Sequence, residues 1–333
     1  MKKRFALPAC ACLLALLSGC SPSPEAITVD GRDVDAAELA FYMEYNRLNL
    51  ENRTGTAQAD GAYDEQTTQQ VKEESLDQIV TAEVVLEKCE EYGLELTDAD
   101  EKALKENKDA LIEEHGGTAG YLEFLQASAM TDRVYDKFQA NVYYYDKLYN
   151  YLVGDEGEYA YSDEELRQFF ADHYAQVQYI RFSLLDDQGE PLSDSEAAAQ
   201  LEEAQRELRL AQTPGCNFTA LLGQYNDDTY MSANADGIVM SHSQISGSSQ
   251  FDELLSLENN EVGGVYEGAD GYYIVKRLPL TAAYYDNNRE AIQQEARDAK
   301  FNELLDGWKE DATVHTSKVY AKMDLENLWD YVK

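Results

Sequence analysis

The residues best equipped for covalent chemistry in this 333-residue chain are its five cysteines, and Cys20 has the most telling surroundings. It follows Leu17-Ser18-Gly19, where small side chains leave a peptide bond open to a peptidase, and its thiol is free to be alkylated. Ahead of it stand Met1-Lys2-Lys3-Arg4 and an apolar stretch from Phe5 to Leu17, the order of a charged n-region, an h-region and a cleavage site. That stretch is shorter than the about 20 apolar residues of a spanning helix. Two readings fit: an export signal whose Cys20 takes a lipid, or an ordinary secretory signal with an incidental cysteine. Cys10 and Cys12 leave with the signal, while Cys89 on a predicted helix and Cys216 in a predicted loop fall in different modules, so no disulfide is expected. His115, His173, His242 and His315 are scattered without metal spacing, and neither a metal nor another cofactor is expected. Asn226-Asp227-Asp228 crowds two carboxylates into three residues, a pattern that by itself reads as a turn.

These residues must be held by elements that the periodicity outlines. Ile27 to Val34 alternates apolar and polar residues around Asp30-Gly31, which predicts a hairpin. Asp35 with Glu38 starts a helix carrying Leu39, Met43 and Leu50. Residues 52–67 read as a loop, before a long helix with Leu76, Ile79, Val80 and Val84 on one side that ends at Tyr92-Gly93. Thr97 starts a third helix, and Thr118 a fourth that runs through Leu122, Leu125, Val134 and Phe138 into Tyr143, Tyr144, Tyr145, Tyr149 and Tyr151. So many tyrosines suit either a peptide-binding surface or half-buried packing. Ser162-Asp163-Glu164-Glu165 opens another helix. From Gln176 the period changes. A strand through Val177 and Tyr179, helices at 195–211, 218–225 and 251–257, and a strand at 271–276 suit a compact α+β domain. From Tyr285 onward a long helix with Phe301, Leu305 and Trp308 on one face has no partner nearby, and is expected to fold back on the N-terminal helices.

At 44% hydrophobic the chain is globular, and its formal charge is −37. Loss of residues 1–19 removes three of 27 basic groups and none of 64 acidic ones, giving −40. Such a body repels nucleic acid and anionic head groups, which excludes nucleic-acid binding and leaves lipid as the means of holding a membrane.

Leu17-Ser18-Gly19-Cys20 resembles the lipobox of bacterial lipoproteins, which implies lipidation of Cys20 and an extracytoplasmic place on the bacterial membrane, at the cell surface or the periplasmic face. The segment from Val177 to Lys276 resembles a parvulin-type peptidyl-prolyl isomerase domain. The matching residues are Asn217-Phe218, Leu221, Tyr225-Asn226-Asp227-Asp228, Asp236-Gly237, Phe251, Leu257 to Gly263 with Val265, and Gly271 to Lys276. With Val29-Asp30-Gly31, Ser162 to Leu166 and Trp308, the whole arrangement is similar to foldase lipoproteins and SurA-like chaperones.

The resemblance implies an α+β fold in five parts. These are a signal peptide (1–19), a lipid-anchored spacer (20–26), a helical chaperone-like module (27–173), an inserted parvulin-like domain (174–280), and a C-terminal helix and tail (281–333) packed on the helical module. It implies an extracytoplasmic foldase acting on unfolded or partly folded exported polypeptides. Rotating an X–Pro amide over its barrier of about 20 kcal/mol needs no covalent step, only a grip on the ring, exclusion of water and polar groups that favour the twisted amide. By position, Asp228 is the polar centre and Phe251 the aromatic wall. The other apolar wall falls on Gly247, with Ile245 and, more weakly, Met240 as residues that fill the role. The two histidine positions of the family hold Tyr179 and Tyr273, which hydrogen-bond but do not titrate near neutrality. The expected functions are an isomerising foldase with Asp228, Tyr179 and Tyr273 at its centre, or a binding-only chaperone on the same fold. A solute-binding lipoprotein shares the anchor, but the chain lacks two halves of alternating strands and helices.

Overall fold

The computed structural model describes residues 23–54, 63–241 and 249–332, the side chains of 249–252 excepted. The signal segment and Cys20 lie outside them. The chain forms two compact units, one made of residues up to 158 together with 301–333, the other of 159–300.

The first unit begins with strands β1 (Glu25–Val29) and β2 (Arg32–Asp35), paired antiparallel. Asp30 and Gly31 both take positive φ, 47° and 81°, as a two-residue turn matched to strand twist requires. Asp35 then caps helix α1 (Ala36–Thr54), its Oδ1 accepting from the amides of Ala37 and Glu38, each at 3.1 Å. Helix α2 (Glu65–Tyr92) starts at the Asp64 cap and stops at Gly93, whose φ of 68° places it in the left-handed region. Helix α3 (Asp98–Glu114) opens on a reciprocal capping box between Thr97 and Asp100.

The single fourth helix read from the sequence is two: α4 (Thr118–Ala127) and α5 (Asp132–Val153). Ala129 turns left-handed at φ 49° with its side chain buried, and Thr131 restarts the helix by accepting from the Val134 amide. The apolar period runs across this break because Leu125 of α4 and Val134 of α5 are both buried, although Leu122 of the same stripe is exposed.

The second unit opens with α6 (Asp163–His173), capped by Ser162 and Glu165 as expected. Strand β3 (Tyr174–Ser183) follows, then α7 (Asp194–Ala211), α8 (Phe218–Tyr225), α9 (Thr229–Ala233), β4 (Ile238–Ser241), α10 (Ser249–Ser256), β5 (Val262–Glu267) and β6 (Gly271–Leu278). The four strands make an antiparallel sheet in the order β4-β3-β6-β5. The sequence reading lacked β4 and β5. The first is four residues long, and the second is irregular between Val262 and Val265, at Gly263-Gly264, which erases the two-residue period. Ile180, Phe182 and Ile274 are buried with Leu221, Leu222 and Met231 of α8 and α9. Ala175, Val177 and Val275 are buried with Leu254 of α10.

Helix α11 (Ala282–Asp311), interrupted at Asn288, leads to β7 (Val314–Thr316) and α12 (Lys318–Lys322). Its opening belongs to the second unit: Tyr285 and Ile292 are buried with Phe169 and Phe170 of α6. Its end belongs to the first, where Phe301 and Leu305 are buried and Trp308 packs on the main core. Strand β7 pairs with β1, so the small sheet has the order β2-β1-β7. Met323, Leu325, Leu328 and Val332 share one core with Ile27, Leu39, Met43 and Ile79. The helical unit is thus built from both ends of the chain.

Among the tyrosines of α5, Tyr145 and Tyr149 each set a ring edge-on to Phe301 at 5.1 Å, and Tyr151 lies 5.1 Å from Tyr92. These contacts are packing within the unit. Cys89 is buried, Cys216 half-buried, and both are free thiols. Among the described residues, no helix is long and apolar enough to cross a membrane, and no group of three or more His, Cys, Asp and Glu could hold a metal ion.

Candidate functional site around Asp228

Strand β3 is flanked by β4 only over Tyr174 to Val177, which leaves the rest of that edge to other partners. The segment 226–228 takes it over. The Arg181 amide donates to Asn226 Oδ1 at 2.8 Å, the Asp227 amide donates to the Arg181 carbonyl at 3.0 Å, and the Ser183 amide donates to Asp227 Oδ2 at 3.1 Å. Asn226 and Asp227 therefore replace a strand along the edge, and that stitching fixes Asp228 beside the sheet.

Asp228 caps α9. Its Oδ1 accepts from the Tyr230 amide at 2.7 Å and its Oδ2 from the Tyr179 hydroxyl at 2.5 Å. Burial pushes this carboxyl up, but the Tyr179 hydroxyl, the Tyr230 amide and the charge of Arg181 outweigh it and hold the group below the ordinary carboxylate range. The same contact, added to burial, raises the Tyr179 hydroxyl well above its usual value.

Tyr273 stands directly across from Arg181 on β6, and its ring meets Tyr179 edge-on at 5.5 Å. Its hydroxyl turns away from Asp228. It donates to Asp270 Oδ1 at 2.5 Å, while Arg181 Nη1 binds Asp270 Oδ2 at 2.7 Å. Burial and this carboxylate push the Tyr273 hydroxyl up to about 12. Both phenols are therefore fully protonated at neutral pH, as donors already engaged.

Of the residues singled out from the sequence, Asp228, Tyr179 and Tyr273 come together, with only Tyr179 bonded to the carboxylate. Met240 sits on β4 opposite Ala175 and packs, like Tyr179 and Tyr273, against the Val177–Val275–Leu254 cluster. Phe251 lies in α10, its side chain among those not described. Ile245 and His242 lie outside the described residues. Arg181 and Asp270 went unread. Arg181 shares a strand face with Tyr179 two residues away, but its link to Asp270 depends on a register that no local pattern prints.

Residues 14–118, just under a third of the chain, match the family model described as the SurA-like N-terminal domain. The N-terminal segment is a SurA-like N-terminal domain. It takes in the β1–β2 hairpin and helices α1, α2 and α3, where the SurA-like resemblance read from the sequence is borne out. Comparison with curated proteins gave no match. Among solved structures, the chain is similar to a peptidylprolyl isomerase (PrsA) from Bacillus anthracis, at 13% identity and a TM-score of 0.38 over 71% of this chain and 96% of that one. A peptidylprolyl isomerase (PrsA) from Bacillus cereus gives 15% and 0.37 over 94% and 100%. A SurA-like chaperone of Campylobacter jejuni gives 15% and 0.23 over 85% and 94%. Likenesses of this size say nothing of activity.

Proposed function

We propose that this protein is an extracytoplasmic chaperone of the foldase type, held at the membrane by a lipid on Cys20, that binds unfolded or partly folded exported polypeptides. The SurA-like N-terminal domain of residues 14–118 is the observation that carries the reading. The strongly acidic body supports the lipid as anchor, since it repels anionic head groups. In this reading the parvulin-like domain of residues 174–280 docks prolyl segments without turning them over. Tyr273 is committed to Asp270, and neither phenol exchanges protons near neutrality.

The Tyr179–Asp228 contact favours a second reading, an isomerase in which the carboxylate and its phenol polarise the twisting amide. One pair of assays separates the two. The chain from Ser21 onward is expected to suppress aggregation of an unfolded client while leaving a proline-limited refolding rate unchanged. Acceleration of refolding that Asp228→Ala abolishes establishes the isomerase instead. Failure in both assays removes the chaperone reading altogether.

A further inference from the structure

Lys72, on α2, is 92% buried, its relative exposure being 8%. A buried ammonium ordinarily meets a carboxylate. Lys72 meets none: no Asp or Glu among the described residues lies within ion-pair distance, and its Nζ rests over the Tyr320 ring, 4.7 Å from the centroid. It lines a cavity of about 460 Å³ between α2 and the chain after α12, together with Glu65, Lys322, Asp324 and Glu326. Asp324, the carboxylate whose charge reaches Lys72, engages its Oδ1 locally, accepting from the amides of Glu326 and Asn327 at 3.0 Å each. Burial lowers the affinity of Lys72 for its proton, and the charge of Asp324 only partly offsets this.

An unpaired, desolvated cation at the wall of a cavity this size is half of an ion pair whose other half comes from outside the chain. We infer that the Lys72 cavity is a binding site for a monoanionic organic carboxylate, bound as the counter-ion of Lys72 beside the Tyr320 ring. The rim sets the charge of the ligand. Glu65, Asp324 and Glu326 exceed Lys72 and Lys322 by one, so the lining repels a dianion about twice as strongly as a monoanion, whose single charge Lys72 meets at close range. The volume exceeds a bare carboxylate and leaves room for an organic body.

The full-length chain carrying ¹³C in its lysine side chains tests this by NMR. The ε-methylene of Lys72 is identified by the ring-current shift from Tyr320. N-acetyl-trialanine with a free carboxylate is expected to shift that signal saturably. Its C-terminal amide binds weaker by about tenfold or more, and Lys72→Met, with an unchanged melting curve, loses the response. If Lys72→Met fails to fold, the wild-type signal decides alone. Acetate matching the peptide supports the site and assigns it to small carboxylates, whereas a clear preference for the peptide assigns it to polypeptide C-termini. Equal response to acid and amide, no response, or tighter binding of inorganic phosphate overturns the inference.

Discussion

Asp228 shows how one side chain serves two masters: it caps a helix and takes the hydroxyl of a residue 49 positions earlier. Its depressed pKa makes the contact measurable. A carboxyl held below its unfolded value adds stability that is present above about pH 4 and is lost as the pH falls through the folded value. Tyr179→Phe removes one donor, so the Asp228 carboxyl is expected to titrate closer to its ordinary value in a carbon-detected NMR titration. Urea unfolding at pH 7 is expected to show a loss of about 1 kcal/mol that shrinks in acid. An unmoved Asp228 titration would show that the hydroxyl contributes nothing to holding its charge. The Asn226-Asp227-Asp228 sequence announced a turn, and it is one. That the turn completes the edge of β3 rests on bonds to Arg181 and Ser183 more than 40 residues away, which no local pattern encodes.

At the scale of elements, α1, α2 and α5 are tied by a triad in which Lys137 Nζ binds Glu38 Oε2 at 2.9 Å and Glu83 Oε1 at 2.5 Å, both carboxylates being 3% exposed. Burial pushes the Glu38 carboxyl up against the pull of Lys137. A carboxyl raised in the folded state contributes stability that is complete below its unfolded value and lost as pH rises through the folded one. Lys137→Met leaves two buried carboxylates facing each other. It is expected to cost about 3 kcal/mol in urea unfolding at pH 7, and clearly less at pH 5, where Glu38, already pushed up by burial, takes up a proton. A loss equal at both pH values would mean that the lysine matters only for packing. Helix starts were legible because caps are local: Thr97, Ser162 and Asp35 name their helices outright. The break at Ala129 was not, since an alanine at positive φ carries no sequence signal and the burial that enforces it is tertiary.

At the scale of the molecule, the helical unit is discontinuous and the second unit is a single stretch of chain. The long C-terminal helix announced this by its unpartnered apolar face, whereas β7, three residues long, gave no sign. Deleting residues 312–333 strips β1 of a neighbour and removes Met323, Leu325, Leu328 and Val332 from the core. The truncated chain is expected to lose one cooperative transition in calorimetry and keep the other. Residues 159–300 expressed alone are expected to melt as that remaining transition. A truncated chain that retained both would mean the N-terminal segment folds without its end. The split also sets a clock. If the chain is exported as proposed, threaded from its N-terminal side, β1 emerges some 285 residues ahead of β7. On that proposal the first unit stays open until β7 has followed β1 out, so the leading segment does not lock into a shape the pore refuses, and residues 159–300 are free to close before the small sheet is complete.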